Sequence, residues 1–520
     1  MKFCLYLLLM LSPLYSCSSF SNESVISYAL LNMNYFAPEE INYKAICCDT
    51  ISPLNLGMSN ARTDVDRYFI LYKTHLQAKQ EKKTVSYKGI DSLDIEIPKG
   101  AKPIPLSDCT DFAGVKIKVL NNSENTFLFE VLCSSHEVKI SPNIMDSGDF
   151  QEYPQLKDGV KLLCLGDNNP WIEHREQDGM AAPKRDIIVL KDGIAQNKPV
   201  MPYTDSTTTR PFAYYFDANP SLKVFKNLVF IRDKRSQYKT WLVQLNGVYN
   251  MLFYNLNIIT PQDETSYGDK IFQINHCANV VMRDVLINGT YSQRMKFGYG
   301  ININFATDLK FFHVVSQNTK WGVFCTNCTN NSYLKDCKIN RYDVHCYGKD
   351  ITIEDCVFID LALPISSVYG KISYKNCTFF ECEPITIRDN YYAYVPFDLE
   401  LVDCKYYASN KSNCIFNAGN MNHGIQLRKE LCEQCFPNIK IERLHIIPVN
   451  NSLSEFYLFK IKEKDNAPIG YIKDIRISKL SIDGNIPFRL SNKTIKCSNK
   501  VNLRVSGSGA NNKKAKIRSL

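Results

Sequence analysis

The sequence predicts an all-β solenoid, and three observations carry that prediction. First, a block of about eight residues recurs along the second half of the chain, as in MLFYNLNI at 251–258, VVMRDVLI at 280–287 and ITIEDCVF at 351–358. Second, each block alternates apolar and polar residues, which is typical of a strand buried on one face. Third, the blocks recur about every twenty to thirty residues with no helical pattern between them. Each strand must therefore bury its apolar face against neighbouring coils.

The variable spacing of the blocks excludes repeats of helix pairs, whose periods are fixed by helix length. It favours a right-handed single-stranded parallel β-helix of about ten or more coils, from which loops of any length can leave at the turns. The sixth residue of each block should point inward and stack in file, with coils about 4.8 Å apart. These reference residues are Leu228, Leu256, Val285, Val314, Cys337, Cys356, Cys377, Cys404, Leu444 and Leu480.

Several sequence words in this region carry a resemblance to known proteins. GTYSQ, GYGIN, KWGVF, NRYDVHCYG and SSVYG resemble words of uncharacterised exported β-helix proteins of Bacteroidota. Over roughly residues 60–490 the chain resembles the pectin-lyase-like superfamily. The resemblance implies the fold, and it bears much less on activity because one fold hosts many functions.

The amino terminus predicts export. MKFCLYLLLMLSPLYSC combines a basic second residue, an apolar run and small residues near its end, as secretory signals do. Cleavage as a lipoprotein with a lipid on Cys17 and ordinary signal cleavage remain equal alternatives. Either makes the protein periplasmic, anchored to the outer membrane, or present at the cell surface or secreted.

The chain divides by pattern into four segments. Residues 1–17 are the signal, 18–60 a leader without periodicity, 61–500 the β-helix and 501–520 a basic flexible tail. Near Thr63 an acidic start, apolar residues at helical spacing and a lysine-rich end predict a helix that covers the open end of the solenoid. Residues 150–215 are predicted to be long polar excursions.

Charge and cysteine content narrow the classes of partner. The tail supplies +5 of the formal net charge of +9, and no nucleic-acid-binding motif accompanies it, so nucleic acid is not predicted as a partner. An exported chain with 20 cysteines usually implies disulfides. The four reference cysteines instead recur at one place in successive coils, which favours small apolar core residues. The sequence suggests neither a cofactor nor a metal site.

Two files of polar residues are predicted to cap turns. Asparagine recurs ten residues before the reference position, and asparagine, aspartate or histidine precedes that position directly. The first file comprises Asn246, Asn275, Asn304 and Asn327. The second comprises Asn227, Asn255, Asp284, His313, Asp336, Asp355, Asn376 and Asp403.

The candidate site is NRYDVHCYG at 340–348. If Tyr342 and Val344 face inward, then Arg341, Asp343 and His345 project outward along one strand. We expect neighbouring coils to add binding residues to the same face. These are Tyr299, Asn302, Lys320, Arg388 and Tyr391.

This cluster fits two reactions on a glycan and one function without chemistry. In a lyase, arginine would neutralise a uronate and His345 would act as base. In a glycosidase, Asp343 would need a second carboxylate, for which Asp389 is the candidate. Against both, the sequence lacks the NTD, DD, GHG and RIK motifs of polygalacturonases. The alternative is a surface glycan-binding or adhesin-like β-helix protein that uses the same face.

Overall fold

The structure is a computed structural model that describes part of the chain. The described residues are 49–172, 182–200, 202–204, 208–260, 270–289, 299–319, 324–359, 363–365, 368–382, 385–388, 397–419, 438–449, 453–461, 471–472, 474–491, 496–497, 502–505 and 518–519. Residues 1–17 with Cys17, and also Lys320 and Tyr391, lie outside them. Within the described ranges, no helix has the length and apolarity needed to cross a bilayer.

A helix covers the start of the solenoid, as predicted. Helix α1 (Asp64–Glu81) begins after Thr63, whose hydroxyl accepts from the Asp66 N–H while the Asp66 carboxylate accepts from the Thr63 N–H. Two short 3-10 helices precede it, at Pro53–Leu56 and Met58–Asn60. Its inner face joins the solenoid core. The buried residues of that face are Tyr68, Leu71, Thr74, His75 and Ala78.

The first coils consist of seven short strands. They are β1 (Thr50–Ile51), β2 (Thr84–Ser86), β3 (Ser92–Ile97), β4 (Ile104–Pro105), β5 (Cys109–Asp111), β6 (Lys116–Asn121) and β7 (Thr126–Leu132). Strand β1 pairs in parallel with β2 although it lies within the predicted leader 18–60. The β-structure therefore begins before residue 61, in a stretch too short to show a period.

The remaining coils repeat parallel strands along the chain. They comprise β13 (Lys223–Arg232), β14 (Thr240–Asn246), β15 (Tyr249–Ile259), β16 (Lys270–Asn275), β17 (Ala278–Asn288), β18 (Tyr299–Gln317), β19 (Phe324–Lys335), β20 (Lys338–Ile339), β21 (Tyr342–Glu354), β22 (Val357–Ile359), β23 (Leu363–Ile365), β24 (Val368–Lys375), β25 (Thr378–Phe380), β26 (Ile385–Arg388), β27 (Phe397–Val402), β28 (Lys405–Ala408), β29 (Cys414–Gly419), β30 (Asn438–Glu442), β31 (Leu444–Pro448), β32 (Phe456–Ile461), β34 (Asp474–Ile482), β35 (Phe488–Ser491) and β37 (Asn502–Val505). Together with β1–β7 they form one 30-stranded sheet. Parallel strands joined by crossovers follow the right-handed rule, so the fold is a right-handed parallel β-helix.

The predicted file of reference residues is confirmed. Leu228 pairs with Leu256, Leu256 with Val285, and Val285 with Val314, in successive coils. All ten reference residues are at most 1% exposed, and they belong to one continuous core. The cysteines of this file have free thiols, so here they act as small apolar core residues.

The segment predicted as polar excursions is instead a folded sheet. Five further strands are β8 (Ser135–Val138), β9 (Val160–Ile172), β10 (Ala182–Lys191), β11 (Ile194–Ala195) and β12 (Pro211–Ala218), and a short helix α2 (Pro142–Met145) lies between β8 and β9. These strands form an antiparallel sheet in the order β11, β10, β9, β12, β8. Both faces of the sheet are buried, one of them against Tyr249, Ala278 and Phe305 of the coils.

The predicted flexible tail also contains strands. Strand β37 pairs in parallel with β34 and adds to the long sheet. A separate three-stranded parallel sheet comprises β33 (Tyr471–Ile472), β36 (Lys496–Cys497) and β38 (Arg518–Ser519). Within this tail, Asn502–Val505 (NLRV) alternates polar and apolar residues, and this strand pairs with the coil before it.

Candidate functional site

The outer side of strands β14, β16, β18 and β19 carries two parallel files of side-chain amides, which we call the amide face. One file comprises Gln244, Gln273 and Asn302, and the other comprises Asn246, Asn275, Asn304 and Asn327. The residues between them, Leu245, Ile274 and Ile303, are fully buried in the core. Since successive side chains of a strand point to opposite sides, the amides point away from the core.

Hydrogen bonds between coils join these amides into a network. The Asn304 Nδ2 donates to the Asn275 Oδ1 at 2.9 Å, and the Asn327 Nδ2 donates to the Asn304 Oδ1 at 2.5 Å. In the adjacent file the Asn302 Nδ2 donates to the Gln273 Oε1 at 2.8 Å. The Gln273 Nε2 joins the two files by donating to the Asn275 Oδ1 at 2.7 Å. The asparagines of the first predicted file thus stack in successive coils, but these bonds join side-chain amides to one another instead of capping turns.

The predicted cluster at 340–348 lies directly beyond the amide face. Tyr342 and Val344 pack in the core, as the alternation predicts. Arg341 and Asp343 lie on the other side of the strand, where the Arg341 Nε donates to the Asp343 Oδ1. Asp343 continues the file of Asn302 through Cys325.

Burial distinguishes this ion pair from an ordinary solvated surface pair. Arg341 is only 8% exposed and Asp343 only 2%. A charge removed from water in this way depends on its partners, so loss of Arg341 would weaken the compensation of the buried Asp343 carboxylate. The pair is therefore a buried ion pair at the end of the amide face.

The remaining candidate residues divide into three groups. Asn302 lies in the amide face as expected, and the backbone of His345 pairs with Asn327, in the file of asparagines. Arg388 ends strand β26, where its backbone pairs with Gly419. The side chains of His345 and Arg388 are outside the description, as are Lys320 and Tyr391 altogether.

Tyr299 is the first residue of β18, where its backbone pairs with Lys270. In the preceding coil Ile271 and Phe272 are both fully buried, so the alternation is interrupted there and does not place Tyr299 opposite Asn302. The half-buried ring of Tyr299 lies 6.0 Å from the Lys270 Nζ, measured to the ring centroid.

The antiparallel sheet forms a wall beside the amide face. The Tyr214 hydroxyl lies 3.0 Å from the His276 Nε2, and the His276 Nδ1 lies 2.8 Å from the Asn246 Oδ1. An amide oxygen only accepts, so the proton lies on Nδ1 and the Tyr214 hydroxyl donates to Nε2. Burial lowers the pKa of His276 to about 4, which keeps the ring neutral near pH 7.

Aromatic rings extend this wall. The His276 ring stacks on Phe305 at 5.2 Å and on Phe216 at 5.8 Å between ring centroids. Phe212 stacks parallel to Tyr214 at 6.0 Å, and the Arg185 guanidinium lies 4.1 Å from the Phe212 ring centroid. Sequence reasoning missed Phe212, Tyr214 and His276. The alternation in PFAYYF was the available signal, but it lies outside the period of the coils.

The second predicted file caps turns on another side of the solenoid. Each of its eight residues has a positive φ, between 51° and 61°, which asparagine and aspartate tolerate better than most residues. His313 belongs to this file as predicted. Its Nδ1 lies 3.0 Å from the Asp284 Oδ1, and its Nε2 lies 3.6 Å from the Asp336 Oδ2. The hydrogen bond to Asp284 raises the pKa of His313.

Comparison with known proteins finds similarity in structure alone. No family model matches the chain, and no curated protein matches its sequence. The tailspike protein gp49 from Pseudomonas phage LKA1 is 11% identical, with a TM-score of 0.49 over 88% of this chain and 83% of that chain. The Gp54 tailspike of Acinetobacter baumannii bacteriophage AP22, solved with a capsular saccharide, is 9% identical, with a TM-score of 0.43 over 95% and 79%. A Family 28 exopolygalacturonase of Yersinia enterocolitica is 10% identical, with a TM-score of 0.36 over 85% and 77%.

Proposed function

We propose that this chain is an exported, polysaccharide-directed β-helix protein that holds a glycan along the amide face. The observation that carries the proposal is the joined amide network on the outer side of consecutive coils. Side-chain amides both donate and accept hydrogen bonds, which suits a ligand covered with hydroxyl groups. A network whose members hold one another in place also loses little conformational entropy when a ligand binds.

The shape of the face supports a polymer rather than a small ligand. Equivalent amides recur at the spacing of neighbouring coils, about 4.8 Å. They run along the solenoid from Asn246 to Asn327, with Asp343 and Arg341 at the far end. A chain of repeating sugars would meet the same chemistry at each step. The half-buried ring of Phe212 offers a stacking surface at the side.

Export is part of the proposal and is supported by the amino-terminal sequence. The apolar run of residues 1–17 resembles a secretory signal, and Cys17 is the residue that would carry a lipid anchor. The resemblance to exported proteins of Bacteroidota agrees with this compartment. A lipid anchor would be the protein's sole link to a membrane. Labelling with a palmitate analogue in the expressing cell, compared between wild type and Cys17→Ala, distinguishes anchoring from ordinary cleavage.

A glycan panel tests the binding proposal. We expect Asn304→Ala to weaken binding of any retained polysaccharide by about tenfold, because it removes one ladder amide and disturbs its neighbour. The matched control is Asn438→Ala. That asparagine also donates between coils, to the Asp398 Oδ1 at 2.8 Å, but lies on a different side of the solenoid. Equal effects of the two substitutions, or no retention of any glycan, would contradict the proposal.

Turnover of the glycan is the second candidate function. The register that places His345 beside Asn327 supports it, because this histidine then follows the amide file directly. In a lyase, His345 would remove a proton, and because Arg341 is already ion-paired with Asp343, neutralising a uronate would fall to the other candidate arginine, Arg388. Hydrolysis with Asp343 as nucleophile is less well supported, because that carboxylate is ion-paired and almost fully buried.

Kinetics of His345→Ala separate turnover from binding. If the imidazole acts as base, the catalytic rate should fall by about 10²- to 10⁴-fold while affinity changes little. Products would be followed by the absorbance of unsaturated sugars and by new reducing ends. An adhesin-like protein would yield no product with either form, and this outcome would leave binding as the function.

A further inference from the structure

We propose that the coils of strands β7 and β14, at the beginning of the amide face, hold a separate sugar subsite that binds a neutral pyranose. We call it the head subsite and define it by five residues. They are Phe127, Glu130 and Leu132 of β7 and Trp241 and Gln244 of β14. The proposal rests on the proposed function, and it names the place on the face where one sugar is held and the chemical class of that sugar.

The head subsite continues the files of the amide face by one coil. The backbone of Glu130 pairs in parallel with that of Gln244, and the backbone of Leu132 pairs with that of Asn246. The buried Val131 lies between Glu130 and Leu132, so both of these side chains point outward. Neighbouring coils are about 4.8 Å apart, so a single sugar can reach the Glu130 carboxylate and the Gln244 amide together.

The polar groups of the head subsite differ from the later amides because they are available. Gln273 and Asn302 bond to each other and are only 9% and 8% exposed. Glu130 and Gln244 are half-buried, and within the described part of the chain neither side chain forms a hydrogen bond or an ion pair. Polar groups that a protein does not satisfy itself are open to a ligand. The carboxylate and the amide of the head subsite can therefore both bond to a sugar.

Aromatic rings border this polar pair on one side. The backbone of Phe127 pairs with that of Trp241, and the two ring centroids are 4.7 Å apart. Both side chains are half-buried. The Trp241 Nε1 is itself buried, so the part of the indole at the surface is carbon. An exposed carbon face of this kind can stack on the C–H groups of a pyranose.

Two consecutive core residues separate the rings from the polar pair. Leu242 and Val243 are both fully buried, as are their counterparts in β7. The outer side of the strand therefore bears no side chain over two positions. Trp241 and Gln244 are about 10 Å apart along the strand, because each residue advances about 3.3 Å. This spacing leaves room for a sugar ring between the indole and the amide.

The Glu130 carboxylate determines which sugar fits. An ionised carboxylate only accepts hydrogen bonds, so its ligand must donate, as a sugar hydroxyl does. The Gln244 amide both donates and accepts, so it can bond to a neighbouring hydroxyl. A sugar carboxylate at this place would bring no hydrogen and would meet a like charge. Burial raises the pKa of Glu130, and the charges of Lys79 and Lys102 counteract this.

Two matched pairs of probes test the subsite in titration calorimetry of the full chain at pH 7.5. Cellohexaose and the β-1,4-linked hexamer of glucuronate form one pair, and galacturonate hexamer and its carboxyl-reduced form are the other. Within each pair, hydroxymethyl replaces carboxylate. Glu130→Gln keeps the size of the side chain and removes its charge. We expect the affinity for the neutral member, divided by that for the acidic one, to fall at least about fivefold in this variant.

The matched control is Glu96→Gln. That glutamate is also half-buried, but it lies in strand β3, on a different side of the solenoid, so the affinity ratio should not change. If only one member of a pair binds measurably, Glu130→Gln should weaken a neutral member and should not weaken an acidic one.

Tryptophan fluorescence tests the ring independently. The chain has three tryptophans, and a sugar stacked on Trp241 should alter the emission of that residue. Trp241→Phe keeps an aromatic ring but should remove most of the fluorescence change that a bound hexamer produces in wild type. An undiminished change would contradict the place of Trp241 in the subsite.

The outcomes distinguish the head subsite from the function on which it rests. An affinity ratio that is equal in wild type and Glu130→Gln would overturn the subsite. If Asn304→Ala still weakened binding of the same probe, the glycan proposal would stand without it. Binding of none of the four probes would remove both.

Discussion

His75, a fully buried histidine on the inner face of the capping helix, should make the free energy of unfolding decrease at acid pH. The His75 Nε2 lies 3.0 Å from the Tyr87 hydroxyl, and the Ser107 N–H donates to the Nδ1 at 3.5 Å. An acceptor at Nδ1 places the proton on Nε2, which donates to Tyr87. Burial lowers the pKa of His75 to about 3, so the ring is neutral in the folded protein.

The size of the effect follows from linkage. The folded pKa is depressed, so stability is complete above the unfolded pKa of about 6.5 and is lost as the pH falls toward about 3. Between pH 7.5 and 4.5 the unfolded chain takes up a proton that the folded chain refuses. The loss amounts to about 3 kcal/mol from His75 alone.

The matched variant is His75→Gln. Its amide oxygen can accept from Ser107 and its NH₂ can donate to Tyr87, but it does not titrate. Urea unfolding of wild type and variant at both pH values gives four free energies. The variant lacks the contact between His75 and Phe129, 5.5 Å between ring centroids, at both pH values, so this loss cancels in the pH-dependent difference. Wild type should lose about 3 kcal/mol more than the variant. Equal losses would refute the assignment of His75 as buried and neutral.

Three further predictions concern the coils and the wall. Cys356→Ala should lower the free energy of unfolding by about 1 to 2 kcal/mol, because it removes a buried sulfur, and glycan affinity measured on the same preparation should not change. His313→Asn keeps a residue suited to the turn but loses the charge beside Asp284. The raised pKa of His313 means that the protonated ring stabilises the fold below about pH 6.5. In urea unfolding, the variant should therefore be less stable than wild type at pH 5.5, by at most about 1 kcal/mol, and nearly equal to it in stability at pH 8.5. A larger difference in stability at pH 8.5 than at pH 5.5 would contradict the stabilising role of protonated His313. Gly247→Ala should loosen the antiparallel sheet by about 1 to 3 kcal/mol, because φ is 71° and a Cβ would lie 2.3 Å from the Phe216 ring, and unchanged hydrogen exchange in that sheet would contradict this.

The periodic part of the fold could be predicted from the sequence because its contacts repeat. The same alternation that buries Leu256 buries Val285 one coil later, so each copy of the block supports the others. The turn file was predictable for the same reason. Asparagine, aspartate and histidine at one position indicated turn-capping residues, and the backbone there has a positive φ.

The antiparallel sheet could not be predicted in this way. Its central strand β9 pairs with β12, more than forty residues further along the chain, and a pairing of that kind leaves no period in the sequence. The burial of Arg341 and Asp343 was missed for a related reason. Alternation tells which side of a strand a residue occupies, but covering of that side depends on segments distant in sequence.

The file of left-handed turn residues also separates the length of a coil from its shape. Arg443, with a φ of 57°, continues this file. Successive members are 19 residues apart from Asp336 to Asp355 and 40 residues apart from Asp403 to Arg443. Both intervals return the backbone to the same turn, with the Arg443 Nε donating to the Asp403 Oδ1. Loops at the other corners can therefore lengthen, shorten or acquire a whole sheet without shifting the coils that follow. Such a scaffold can exchange loops and added sheets on one side during evolution while its coils stay in register.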